Sequence, residues 1–185
     1  MINLEKKKPL NLNKEVPGLN KVKIGLSWDA RNDGQNADAD SSIFMLNEDG
    51  KIPSDTFMVF YNNLQSLDSS VIHSGDNKTG IGEGDDEVIS INLSSVSTEI
   101  VQIMIVITIH NKNEGFHFGN VLNSSVKVYN QANNNIICQY KLSETFDGYD
   151  SLVIGRFYRN GNEWEFEVIG QAYEGGLAVA YQLYS

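Results

Sequence analysis

SLVIGRFYRNGNEWEFEVIG, residues 151–170, decides the fold. After Asn160-Gly161-Asn162, the apolar Trp164, Phe166 and Val168 alternate with Glu163, Glu165 and Glu167. A period of two puts the apolar side chains on one face of a β-strand and the acids on the other. Asn-Gly is a hairpin signal, because both residues accept the positive φ of a tight turn. The preceding SLVIGR and FYR are rich in β-branched and aromatic residues, as strands are. The stretch therefore reads as an antiparallel hairpin with one face against a core.

The same alternation recurs along the chain. In KVKIGLSW (21–28), Val22, Ile24, Leu26 and Trp28 share a face. Further strands are expected at 42–46, 56–61, 88–93, 100–109, 124–129 and 135–142. IVQIMIVITI (100–109) is apolar almost throughout, which predicts a strand buried on both faces. It is too short for the roughly 20 apolar residues of a membrane-spanning helix. Turn signals at Glu48-Asp49-Gly50, Asn62-Asn63, Asn133-Asn134-Asn135 and Asp147-Gly148 separate these runs. Short helical turns are expected at Ser94–Thr98 and Ser143–Phe146, and no longer helical period is evident. The pattern predicts an all-β fold, an antiparallel β-sandwich of two sheets of about five strands each. A chain of 185 residues with 41% hydrophobic content fits a single domain, 1–185, with 1–14 an N-terminal segment ordered in part.

Composition removes several functions. The net charge of −10 opposes nucleic acid and anionic lipid. The one basic cluster in sequence, Lys6, Lys7 and Lys8, reads as a solvated end. Cys138 is the only cysteine, so neither an internal disulfide nor a dithiol redox couple is possible. NIICQYKL makes it a buried apolar residue. MINLEKKKPLNL lacks an apolar signal core, and the expected location is the cytoplasm.

The charge is concentrated in two loops. DARNDGQNADAD (29–40) holds Asp29, Asp33, Asp38 and Asp40 against Arg31. HSGDNKTGIGEGDDEVIS (73–90) holds Asp76, Glu83, Asp85, Asp86 and Glu87 against Lys78, among Gly75, Gly80, Gly82 and Gly84. Nine acids against two bases account for −7 of the −10. Crowded carboxylates raise one another's pKa, by roughly a unit or more, unless a cation lies among them. Hard oxygen donors with glycines that expose backbone carbonyls suit Ca²⁺, which takes about 6–8 oxygens. Mg²⁺, which retains its waters, suits them less. The candidate ligands are Asp29, Asp38, Asp40, Asp76, Asn77, Gly82, Glu83, Asp85, Asp86 and Glu87, for two calcium ions. Alternation along a strand prevents Asp85, Asp86 and Glu87 from all pointing one way, and Asp76 and Asp85 are preferred to Glu87. The EF-hand pattern is met at Asp29, Asp33 and Gly34 but broken by Arg31. A phosphate-binding loop fails because Ile81 stands where its lysine belongs.

GLSWD (25–29), DAD (38–40), FYNN (60–63), HSGDNKTGIGEGDDE (73–87), TIH (108–110), FGNV (118–121) and GRFYRNGNEWEFEVIGQAYEGGL (155–177) together resemble the TerD-type tellurium-resistance family of bacterial stress proteins. The match spans nearly the whole chain. Ser27, Glu83 and Arg156 depart from the family pattern, and none removes a carboxylate of DAD or GDDE. The resemblance implies a two-sheet sandwich binding calcium in its acidic loops. It also implies resistance to tellurite, phage and pore-forming colicins, alongside other stress and tellurium-resistance proteins, in a membrane-associated complex. A related branch is known as cyclic-AMP-binding protein, so a small-ligand module is the alternative. Catalysis is not expected: there is no dithiol and no dinucleotide fingerprint, and an acidic surface repels an oxyanion. His73, His110 and His117 lack zinc-ligand spacing and are read as structural.

Overall fold

The hairpin forms as its sequence requires. In a computed structural model, which describes residues 10–11, 16, 18–30, 37–81, 84–142 and 146–185, Phe157 pairs with Phe166 and Asn160 with Glu163 across the Asn-Gly turn. The strands in order are β1 (Leu10–Asn11), β2 (Lys21–Asp29), β3 (Ala39–Leu46), β4 (Met58–Val59), β5 (Val71–His73) and β6 (Glu87–Asn92). Then come β7 (Gln102–Ile109), β8 (Leu122–Asn130), β9 (Asn135–Lys141), β10 (Ser151–Asn160) and β11 (Glu163–Tyr173). A helix, α1 (Gly176–Tyr184), ends the chain.

These strands build two antiparallel sheets, one ordered β1-β11-β10-β7-β3-β4 and the other β5-β6-β2-β8-β9. Ile24 pairs with Ile89 in the smaller sheet, and Ile43 with Ile105 in the larger. All four are buried in one core with Leu26, Ile91, Phe157 and Phe166. At roughly 25 cal/mol per Å² of apolar surface removed from water, such a core is the main force holding the sheets together.

β3 and β7 are buried along nearly their whole length. The second cover is α1, which no helical period in the sequence announces. Its Tyr184 ring sits 5.2 Å from that of Phe44, and Ile52 N–H donates to the Tyr184 carbonyl. Asp150 Oδ1 accepts from the N–H groups of Gly175 and Gly176 at 2.7 and 2.8 Å, fixing where the helix begins. Gly175 has φ +134, a conformation that favours glycine.

Other departures are local. TFMVFY yields only the two residues of β4, preceded by a 3₁₀ turn at Asp55–Phe57. β1 and β5 are two- and three-residue strands, too short to show a period. The first expected helical turn is a 3₁₀ turn at Leu93–Ser95. Most of the second lies outside the described residues. Cys138 is free and buried, and burial pushes its thiol up to about 12.

Candidate metal centre

β2, β5 and β7 finish, and β3 and β6 begin, at the same end of the sandwich, and both acidic loops meet there. The second loop is held by its own side chains. Asn77 Oδ1 accepts from the N–H groups of Thr79 and Gly80 and from the Thr79 hydroxyl. Gly80, at φ +65, lies so close to Trp28 that a Cβ would come within 2.5 Å of the indole nitrogen. The glycine requirement here is steric as well as conformational.

The loop then enters β6 at Glu87, and the three successive acids at this entry diverge. Asp85 turns to the outer face, where Lys127 Nζ lies 3.3 Å and Lys23 Nζ 3.8 Å away and the Tyr129 hydroxyl donates at 2.9 Å. Asp86 accepts from Trp28 N–H at 2.9 Å and from Asn77 Nδ2 at 3.0 Å. Burial raises its pKa, the Trp28 bond opposes this, and the charges of Asp85 and Asp29 add to the rise. Glu87 turns inward and is fully buried. Its Oε2 accepts from the N–H and hydroxyl of Ser41, both at 2.7 Å. His73 Nδ1 accepts from Gly75 N–H, so the ring proton sits on Nε2, 3.4 Å from the same carboxylate oxygen.

Asp38, Asp40 and Asp76 converge: each offers a carboxylate oxygen within 4.8 Å of the others. Asp40 is 3% exposed, and its pKa is pushed up to about 8 by burial first, then by the charges of Glu87, Asp38 and Asp76. Asp38 is raised by burial and by Asp76, with His110 and Lys78 opposing. Asp38 Oδ1, Asp40 Oδ2 and Glu87 Oε1 are buried and accept no hydrogen bond. Among the described residues the base nearest to Asp40 is His110, whose Nδ1 is 3.6 Å from Oδ2, beyond hydrogen-bonding distance. Lys78 reaches Asp76 at 3.7 Å but is largely exposed, so it offsets little. Tyr61, edge-on to His110, has its phenol raised by burial and by Asp40, Asp76 and Asp38.

Of the ten expected ligands, three therefore form the cluster and Glu87 lies behind them. Asp29 stands apart, accepting from Asn123 Nδ2. Asp86 and Asn77 hold the loop together. Asp85, preferred to Glu87 on sequence, faces away from the cluster: β6 begins only at Glu87, whose side chain points inward, and Asp85 precedes the strand and lies over Gly25 on the outer face. Gly82 and Glu83 lie outside the described residues, as do Arg31, Asp33 and Gly34. Ser41 and Asn111, whose Oδ1 accepts from Asp38 N–H, were not anticipated. Period-two reading from Asp40 places Ser41 on the opposite face, toward Glu87. Chemically, the cluster stores like-charge repulsion that protons or a hard cation can relieve.

Two antiparallel sheets with acidic loops gathered at one end define a β-sandwich protein whose distinctive chemistry lies in those loops. The TerD domain model matches residues 1–184, and the chain belongs to the TerD family. It is 43% identical over 180 residues to General stress protein 16U of Bacillus subtilis (strain 168), covering 96% of this chain and 93% of that one. It is 41% identical over 179 residues to Tellurium resistance protein TerD of Serratia marcescens, with the same coverages. The crystal structure of a homologue of telluride resistance protein (TerD) from Streptomyces coelicolor A3(2) has a TM-score of 0.76 over 89% of this chain and 96% of its own. At 22% identity this is a likeness of fold.

Proposed function

We propose that the protein binds Ca²⁺ through Asp38, Asp40 and Asp76 and serves tellurite resistance and the stress response without catalysis, as a calcium-dependent scaffold. The observation that carries the reading is the set of buried carboxylate oxygens without hydrogen-bond donors, Asp38 Oδ1 and Asp40 Oδ2, in a cluster of three acids. Oxygen-only donors in a loop of flexible glycines match calcium's coordination, and Glu87 behind them adds charge. A second ion would draw on Asp29 and Asp86, whose charges already act on one another. The partners are other tellurium-resistance and stress proteins, and the location is cytoplasmic. Among the described residues no helix is long and apolar enough to cross a membrane, so a membrane-associated complex would be joined through partners.

Calorimetric titration with Ca²⁺ tests the reading. Binding is expected in the wild type, and a stoichiometry of two supports the second ion. At about a hundredfold excess over Kd the fold should gain about 2.7 kcal/mol, lost on chelation. Absence of heat and of any melting shift at millimolar Ca²⁺ overturns the metal reading. Partner capture that is equal with and without Ca²⁺ overturns the scaffold's dependence on it.

A further inference from the structure

The outer face of the five-stranded sheet opposes the charge of the rest of the chain. Strand register places Lys23 beside Tyr129, Gly25 beside Lys127, and Ser27 beside Ser125, which in turn pairs with Lys141. Lys21, two residues before Lys23, shares this face. Four of the 14 basic residues of a chain of net charge −10 thus stand on one sheet face.

At its centre is a seat for an anion. Lys127 Nζ, Lys23 Nζ and the Tyr129 hydroxyl converge on the Asp85 carboxylate at 3.3, 3.8 and 2.9 Å. The lysine side chains are only 20% and 23% exposed. The Lys23 ammonium lies 4.1 Å from the Tyr129 ring centroid, a cation–π contact that fixes its direction. Lys127 also reaches Ser27 Oγ, which is hydrogen-bonded to Ser125 Oγ. Gly25 is the floor: a Cβ there would come within 2.2 Å of Asp85 Oδ2, so any other residue would fill the seat.

The charges do not balance. Among the described residues two ammonium groups face one carboxylate, leaving one positive charge with Asp85 in place. A phosphate group carries about −1.5 to −2 near neutral pH and offers three strong acceptor oxygens, which matches the two lysines and the phenol better. Lysine binds phosphate as a point charge and requires no fork geometry.

We propose that Lys23, Lys127, Tyr129 and Gly25 form a binding site for a phosphate-class oxyanion, with Asp85 as its built-in competitor. The site is separate from the Asp38–Asp40–Asp76 cluster and does not depend on calcium binding. The test is a titration of metal-free protein, in chelator, with inorganic phosphate, followed through the amide NMR shifts of Gly25, Ser27 and Lys127. Asp85→Ala should tighten phosphate binding about tenfold, the worth of one displaced charge-assisted contact. Asp85→Asn, which keeps an acceptor for Tyr129, should do so less and serves if the alanine variant does not fold. Adding Lys23→Met and Lys127→Met should abolish the effect. Phosphatidylcholine vesicles with and without phosphatidic acid separate the sources. Co-sedimentation lost in the lysine variants assigns a lipid headgroup, and shifts from inorganic phosphate without vesicle binding assign a free phosphate. A folded Asp85 variant that responds to neither probe, or lysine variants that bind phosphate unchanged, would overturn the proposal.

Discussion

His73 Nε2 lies 3.4 Å from Glu87 Oε2, and neither side chain has exposed surface. The pair joins β5 and β6 of the smaller sheet to Ser41 of the larger, whose N–H and hydroxyl both donate to Glu87. Hydrogen bonds to a charged group contribute about 1.5–3 kcal/mol each, and an abandoned buried donor costs its desolvation. Glu87→Ala should therefore lower stability by about 3 kcal/mol, read as a shifted urea midpoint at constant slope. Glu87→Gln keeps one oxygen for Ser41 and should cost less, while weakening calcium several-fold by removing a charge behind the cluster. An unaltered midpoint in the alanine variant would show that the inter-sheet bond contributes nothing.

Asp40 gives the metal-free protein a stability that declines with pH. Its pKa is raised from 3.8 to about 8, so between those values the folded state holds a proton that the unfolded state has lost. The associated stability is complete below the unfolded pKa and gone once pH exceeds the folded value. In chelator, stability followed by thermal melting should therefore fall from about pH 5 to about pH 8, losing at most about 1.4 kcal/mol for each pH unit crossed. Asp40→Asn should flatten this profile, raise metal-free stability at the alkaline end and abolish the calcium-induced rise. Calcium must expel that proton, so wild-type affinity should increase over the same interval. A profile identical in wild type and Asp40→Asn would remove Asp40 as the titrating group.

Legibility in the sequence followed the length of each pattern. Long alternating runs such as Lys21–Trp28 and Glu163–Gly170 declared their strands, because period two is unambiguous over eight residues. Val71–His73 is too short to show any period and became a strand by pairing with Ile89 and Ile91. The nine residues of α1 are below the length at which a helix is stable alone, so packing on Phe44 and the Asp150 bond supply what propensity does not. The acidic loops were visible as a charge concentration, and DAD and Asp76 do meet. Which acids face the cluster was not visible, since it depends on the residue at which β6 begins. The lysine face was hidden for a related reason: Lys23, Lys127 and Lys141 are scattered in sequence and are gathered only by strand register.

Asp68 should govern the acid limb of stability. Burial would raise its pKa, but the N–H of Ser97, the Ser66 hydroxyl, and the N–H and hydroxyl of Ser70 all donate to it and hold the value below normal. A lowered folded pKa gives stability that is present above the unfolded value of 3.8 and lost as pH falls through the folded one. Asp68→Ala should cost about 1–3 kcal/mol near neutrality and leave acid unfolding less steep. Denaturant midpoints at about pH 7 and pH 3 check this; an equal loss at both would mean the ionised form is not what those donors stabilise.

Asp150 is expected to control the C-terminal helix as a unit. Its backbone carbonyl accepts from Ile109 N–H and its own N–H donates to Tyr173 O, while Oδ1 holds the amides of Gly175 and Gly176. One residue thus ties β7 and β11 to the start of α1. Replacing a capping acid by alanine typically costs about 1 kcal/mol, and up to about 2. Because a helix this short depends on docking, Asp150→Ala should release it as a whole. Hydrogen exchange should accelerate together across 176–185 and at the Ile52 amide, which donates to Tyr184. Ala180, on the buried side of the helix, and Phe44, packed against Tyr184, would then be wetted. Asp150→Asn retains Oδ1 and should protect the helix nearly as well as the wild type. If exchange rises only at Gly175 and Gly176 in the alanine variant, the cap is local and the contacts of Tyr184 hold α1 in place without it.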